Sequence, residues 1–345
     1  MRRGSPIETC SEILAGPRAL NPAAGVSAWG GAVPSVTLVS FFPELMPRKG
    51  DRALTMPGSP TVRRRRLAAE LRTIRERRGE NLQAVATRLR WSTSKLSRYE
   101  LGSGLIPGEV ASLLNHYQVT GDLREHLLGL AREASRKGWW EEYSDVSSAE
   151  YREFIGLEAE ASSIAVWHVE VVTGLLQTER YARSLLTEYS RVEPIAPAII
   201  ERRVELRMRR QQVLEKESPL NLVIVLDESV LKRQYGDESV MYEQLQSLAT
   251  QADRPNITLR ILPLRVPHPV SAESFVIFSF GPKGKAILHD VVAAEGLKTS
   301  FYIENQQETY LHLLVFNTLL EAALDAAASR DLIIHTAESH WRRSL

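Results

Sequence analysis

Asn81-Leu-Gln-Ala-Val-Ala-Thr-Arg-Leu-Arg-Trp-Ser-Thr-Ser-Lys-Leu-Ser-Arg-Tyr-Glu100 decides how the rest of the chain is read. Leu82, Val85, Ala86 and Leu89 recur at helical spacing and make one apolar face. Asn81 precedes them as an N-cap, its side-chain oxygen free to accept from an orphan N–H. Arg90-Trp91 breaks the face. Ser92 then caps a second short helix, which turns Leu96 and Tyr99 inward. Ser92, Thr93, Ser94, Lys95, Ser97 and Arg98 are left outward. All six are polar, none is acidic, and each can bond a phosphate or a base edge. That is the chemistry a recognition helix needs in a major groove.

The net charge of +1 implies no partner by itself, but its distribution does. Between Thr61 and Leu105 there are 12 Lys/Arg and 4 Asp/Glu, a net of +8, so the remainder carries −7. A basic head on an acidic body suits a polyanion. Arg65, Arg66, Arg88 and Arg90 join the six residues above as expected DNA contacts. The run Arg63 to Arg66 opposes the dipole of the helix it begins, which makes sense beside a phosphate backbone, although Arg63 and Arg64 read equally well as a loose basic tail.

The 345 residues, 43% hydrophobic and 25% charged, suffice for two globular domains. Cys10 is the only cysteine, so no intrachain disulfide can form, in keeping with a reducing cytoplasm. No run of 18 strongly apolar residues occurs, so no membrane span is expected. Residues 1–57 are rich in Gly, Pro, Ala and Ser. They read as a disordered tail, or as an upstream extension with Met56 the true start. A signal peptide is rejected, because no compact apolar core follows Arg2-Arg3.

Residues 58–137 read as five short helices. The first runs from Pro60 to about Arg78 with Gly79 as its stop, and the last from Leu123 to Lys137. A boundary is placed at Gly138-Trp139-Trp140, and residues 138–345 read as an α+β domain. Helices are expected over Ala149–Ser163, from Thr178 to about Ser190, over Ala196–Glu217 and Ser239–Ala252, and from Glu304 to about Ala328 before a polar tail. Strands are expected at Ile164–Val172, Leu222–Leu226, Ile257–Leu262, Ser274–Phe280 and Lys285–Val291. The last two would be joined as a hairpin across Gly281–Gly284.

Positions 66–117 resemble the helix-turn-helix of the lambda-repressor/Cro-like family. The resemblance rests on Leu71-Arg72, Arg75, Val85-Ala86, Leu89 and Ser94-Lys-Leu-Ser-Arg-Tyr-Glu-Leu-Gly102. It implies a buried pair between Arg75 and Glu100, and base reading by Thr93, Ser94 and Arg98 with Lys95 and Ser97 beside them. Leu82 stands where many members have a DNA-contacting glutamine. Glu80 replaces an apolar residue before the N-cap, which should loosen the corner. The rest resembles the C-terminal domain of actinobacterial antitoxin-like transcriptional regulators. Its marks are Arg136-Lys-Gly-Trp-Trp140, Tyr151 with Ile155–Ala161, Trp167, Gly174-Leu-Leu-Gln-Thr178 with Tyr181-Ala-Arg183, and Leu259–Pro263 with Ser274-Phe275. Thr173 replaces the usual proline, and the chain departs from the pattern after Lys285. The resemblance implies a DNA-binding regulator, often encoded beside a small partner protein.

Two features of the second domain stay open between function and packing. Gly174, Leu175, Leu176, Gln177 and Thr178 either line a ligand or partner groove, or form a tight turn with Thr178 as N-cap. Trp139 and Trp140 are either interface anchors or packing at the junction; Trp167 joins them as a possible contact with a ligand or partner. No His-Glu-x-x-His, cysteine pair, phosphate-binding loop or Gly-x-Ser-x-Gly elbow occurs, so no catalytic residue, metal or cofactor is expected. The expectation is a cytoplasmic regulator that binds a duplex operator as a homodimer and is controlled by a small partner protein. A one-component repressor with a small-molecule ligand is the alternative, and an enzyme with an appended DNA-binding module the third.

Overall fold

Pro60 at the first helical position and Gly79 beyond the last bound helix α1 (Pro60–Arg77), with Gly79 in the left-handed region at φ +64°. A computed structural model describes residues 59–281, 288–295 and 300–342. The expected N-terminal tail, and the expected hairpin turn beyond Gly281, lie outside the described residues.

Asn81 caps α2 (Leu82–Leu89), its Oδ1 accepting from the Ala84 N–H at 2.8 Å. Arg90 turns the corner at φ +57°, a left-handed position filled here by a non-glycine residue. Ser92 caps α3 (Thr93–Glu100), its Oγ accepting from the Lys95 N–H at 3.1 Å. Then come α4 (Pro107–His116) and α5 (Gly121–Ala134). Helix α5 starts two residues earlier than expected, since Thr120 already has N-cap geometry, and it stops short of Lys137. Leu67, Leu71, Val85, Leu96, Val110, Leu113 and Leu127 close the core of this five-helix head.

The larger part contains α6 (Ala149–Glu160), β1 (Ser163–His168), α7 (Glu179–Tyr189), α8 (Pro197–Arg210), β2 (Asn221–Asp227), α9 (Ser229–Lys232) and α10 (Glu238–Gln251). It continues through β3 (Ile257–Leu262), β4 (Phe275–Phe280), β5 (Leu288–Glu295), β6 (Ser300–Ile303), α11 (Gln306–Ala322) and α12 (Ala326–Thr336). This is the α+β domain expected. Its six strands lie in the order β3-β2-β1-β4-β5-β6. The β1–β2 and β2–β3 pairs are parallel and the others antiparallel.

Several details differ from expectation: α6 ends at Glu160 rather than Ser163, β5 reaches Glu295 rather than Val291, and α9 was not foreseen. Strand β1 ends at His168 rather than Val172. Helix α8 ends at Arg210, and a 3-10 turn follows. Strand β6 was not foreseen. The expected last helix is two helices: Ala323 leaves the helical region, and Asp325 caps α12 through a 2.8 Å bond from the Ala328 N–H.

Alternation along the strands divides the core. Ile164, Val166, Leu222, Ile224 and Leu226 share one side with Met241, Leu245 and Ile333 of α10 and α12. Ala165, Trp167, Val225, Ile277 and Val292 lie on the other side, under Phe316 and Leu319 of α11. No single helix among the described residues is long and apolar enough to cross a membrane.

Helix α1 belongs to both parts. Leu67 and Leu71 sit in the five-helix core, while Val62 is fully buried in the core of the sheet domain. Burying one such valine stabilises by about 1.5–3 kcal/mol.

Candidate nucleic-acid interface

The outward side of α3 carries Ser92, Thr93, Ser94 and Arg98, all exposed and not covered by the C-terminal part. Inward, Leu96 is fully buried and Tyr99 nearly so. Ser92 uses its Oγ as the cap, so that atom is already occupied. Ser97 is half-buried.

Lys95 is partly withdrawn from the outward set. Its ammonium pairs with Glu109 at 2.7 Å and lies 4.5 Å from the Trp91 ring centre. Glu109 also accepts from the Tyr99 hydroxyl. Lys95 first, then Tyr99, hold the Glu109 carboxyl below its usual value. Burial, helped by Glu109, pushes the Tyr99 hydroxyl up to about 12. Glu109 carried no short-range sign of this role, because it reaches α3 from α4.

Two braces fix the angle of α3. The Arg75 guanidinium donates from Nε to Glu100 Oε1 at 2.7 Å and from Nη2 to Oε2 at 2.8 Å, and its Nη1 reaches the Glu80 carbonyl at 3.0 Å. The pair implied by the resemblance is therefore present. Glu80 forms the second brace. Its carboxylate accepts from Arg78 Nε at 3.0 Å and Arg88 Nη1 at 3.2 Å, and meets His116 Nε2 at 3.0 Å. Glu80 does not loosen the corner; it clasps α1, α2 and α4 together. Arg78 above all holds its carboxyl below the usual range.

The remaining arginines divide. Arg88 and Arg90 are exposed beside the corner, Arg88 with its light tie to Glu80. Arg66 is half-buried on α1. Arg65 faces the sheet domain rather than solvent. It donates to Glu153 from Nε at 2.9 Å and from Nη2 at 2.5 Å, pairs with Glu304, and lies 5.0 Å from the Tyr302 ring centre. Its neighbour Arg63 pairs with Glu133 at 2.9 Å and Glu160 at 3.0 Å. Burial pushes the Glu160 carboxyl up, against the pull of Arg63. The basic run expected at a phosphate backbone thus supplies, through Arg63 and Arg65, the junction between the two parts.

The second-domain residues are packed. Gly174–Thr178 is a turn whose carbonyls are taken by glutamines. Gln211 donates to Gly174 O and Gln177 O, Gln244 to Leu176 O, and Gln177 to Val172 O. Leu175, Leu176 and Gln177 are buried, and Thr178 caps α7. Arg207 bonds the Gln177 side-chain oxygen at 2.8 Å. Beneath Gly174 lies the buried Arg210–Glu158 pair. Trp140 is buried at the junction: an added Cβ on Gly156 would stand 3.1 Å from its ring and 2.2 Å from Thr61 Oγ1. Trp139 packs edge-on against Trp140 and Tyr143, with the Arg209 guanidinium 4.6 Å from its ring centre. Trp167 is fully buried, its Nε1 donating to Ala272 O at 3.2 Å. Packing accounts for Trp140, Trp167 and Leu176, while Leu175, Gln177 and Thr178 also line an open groove beside α8.

Comparison with known proteins gives two family matches. Residues 66–127 match a helix-turn-helix domain, which covers α2, the corner and α3 and makes the chain a DNA-binding regulator. Residues 151–335 match a domain of unknown function, DUF5753. No curated protein and no solved structure matches. With more than half of its length in that second match, joined to a helix-turn-helix head, the chain belongs to the DUF5753 family.

Proposed function

We propose that the chain is a cytoplasmic, sequence-specific transcriptional regulator that binds an operator as a homodimer through α3. The observation that carries this reading is the exposed, acid-free surface of Thr93, Ser94 and Arg98 on a helix braced by the Arg75–Glu100 fork. A helix of this size reads a half-site, so two copies on a palindrome complete the reading. Arg98 reads a base, and Arg88 and Arg90 neutralise phosphates. The antitoxin-like role, with a small partner protein acting on the C-terminal domain, rests on the resemblance of that domain's motifs. A repressor gated by a small molecule has weaker support. The grooves beside α8, lined by Val204, Met208 and Glu205 on one side and by Gln211 and Thr250 on the other, are open.

The test is binding of the full chain to its own promoter DNA at two salt concentrations, with and without Arg98→Ala. Loss of preference for the promoter over random duplex is expected, since one good base contact gives about 1–3 kcal/mol of discrimination. Unchanged preference removes Arg98 from the reading role, and no binding at low salt removes the reading altogether.

A further inference from the structure

Helix α11 covers the sheet with one side, and among the described residues nothing covers the other. Tyr310 is 55% exposed, Leu311 58% and Leu314 41%, and Phe301 on β6 is 59% exposed. Strand alternation puts Phe301 on the same sheet face as Ile303, which packs into the core beneath α11. The four residues thus stand on adjoining elements of one face, next to the open edge of the sheet. They leave on the order of 400 Å² of side chain uncovered, about half of what one partner contributes to a standard interface. A patch of that size on a monomer is commonly functional.

We infer that this face joins two copies of the chain, α11 crossing α11 about a two-fold axis. Charge selects the occupant. The outward stripe Gln307, Tyr310, Leu311, Leu314 and Thr318 is uncharged, and the carboxylate beyond its end, Glu304, which would face Glu321 of the second copy, is already paired with Arg65. An antiparallel crossing near His312 sets Leu311 of one copy against Leu314 of the other, and Glu308 opposite Asn317. An anionic membrane is a poor alternative, because the charged residues near the stripe, Glu308 and Glu321, are acidic and no lysine or arginine lies on α11. The position also serves the DNA-binding head. Glu304, two residues before α11, pairs with Arg65 on α1. The dimer seam is therefore one ion pair from the helix that carries the head, so its geometry sets the spacing of the two α3 helices. The inference rests on the homodimer in the reading above and names its surface.

The experiment is sedimentation velocity of the full chain without DNA, over a range of concentrations. The unmodified protein is expected to be a dimer. Leu311→Glu with Leu314→Glu, both on exposed positions, should weaken the dimer at least ~100-fold while circular dichroism stays unchanged. Val192→Glu, on the exposed segment after α7, should leave it intact. A monomer at all concentrations overturns the inference, as does a dimer indifferent to the double substitution. Protection of Leu311 in a monomer would assign the face to the chain before Ser59 and overturns it too. Because no DNA is present, failure here leaves the role of α3 standing, and failure of Arg98→Ala to alter DNA preference leaves the seam standing.

Discussion

Arg75 and Glu100, 25 residues apart, form a two-bond fork that ties α1 to the last residue of the recognition helix. Their side chains are 11% and 6% exposed, and without Glu100 the Arg75 guanidinium keeps only the Glu80 carbonyl and the exposed Glu76 carboxylate 3.5 Å away. Glu100→Ala should lower unfolding free energy by about 1.5–3 kcal/mol, read by urea denaturation. Arg75→Met with Glu100→Met should recover much of that loss, because no unpaired charge stays buried. A single variant as stable as the parent would show that the fork carries no load.

Arg88 offers a second, contrasting measurement. It stands exposed beside the corner and lies 3.2 Å from Glu80. Arg88→Ala should weaken binding to promoter and random duplex alike, and reduce the slope of log K against log salt by about 0.9. A change in which sequence is preferred would move Arg88 from backbone to base.

Glu80 makes the head acid-sensitive. Its folded-state carboxyl is held below the ordinary 4.5, by Arg78 first and then by His116 and Arg88. A depressed folded value means that the stabilisation is complete above the unfolded value and fades as pH falls through the folded one. The thermal midpoint should therefore drop between about pH 5 and pH 3, and Glu80→Gln should flatten that limb while lowering the midpoint at neutral pH. Parallel curves for the two proteins would acquit Glu80.

The junction is tested at Arg65 and Gly156. Arg65→Met removes contacts to Glu153 and Glu304, two partly solvated carboxylates, at a cost on the order of 1 kcal/mol. It should speed proteolysis between the two parts and leave the salt slope of DNA binding unchanged. A slope reduced by about 0.9 would place Arg65 on phosphate after all. Gly156→Ala would drive a methyl to 2.2 Å from Thr61 Oγ1, and should cost about 1–3 kcal/mol.

Short-range chemistry made the head legible. Asn81 and Ser92 announce their helices by residue type, and Gly79 its stop, because capping is settled within four residues. Only the resemblance pointed to the Arg75–Glu100 fork. What escaped depends on distant partners. Arg63 and Arg65 look like phosphate contacts until Glu133, Glu153, Glu160 and Glu304 arrive from separate elements. The bonding of the Gly174–Thr178 turn is likewise invisible locally, because Gln211 and Gln244 reach its carbonyls from other helices. The break between α11 and α12 escaped because the apolar pattern runs on across Asp325, although an aspartate there is a cap in its own right.

Val62 and Leu67 anchor one continuous helix in two separate interiors. That makes α1 an axle rather than a tether. Twisting or tilting of the sheet domain by a neighbour would be handed on to the head through α1 itself, whatever slack the short connection at residues 135–138 allows. Severing the chain near residue 137 would strip each piece of part of its seal, so the two halves are expected to ripen, and to fail, together.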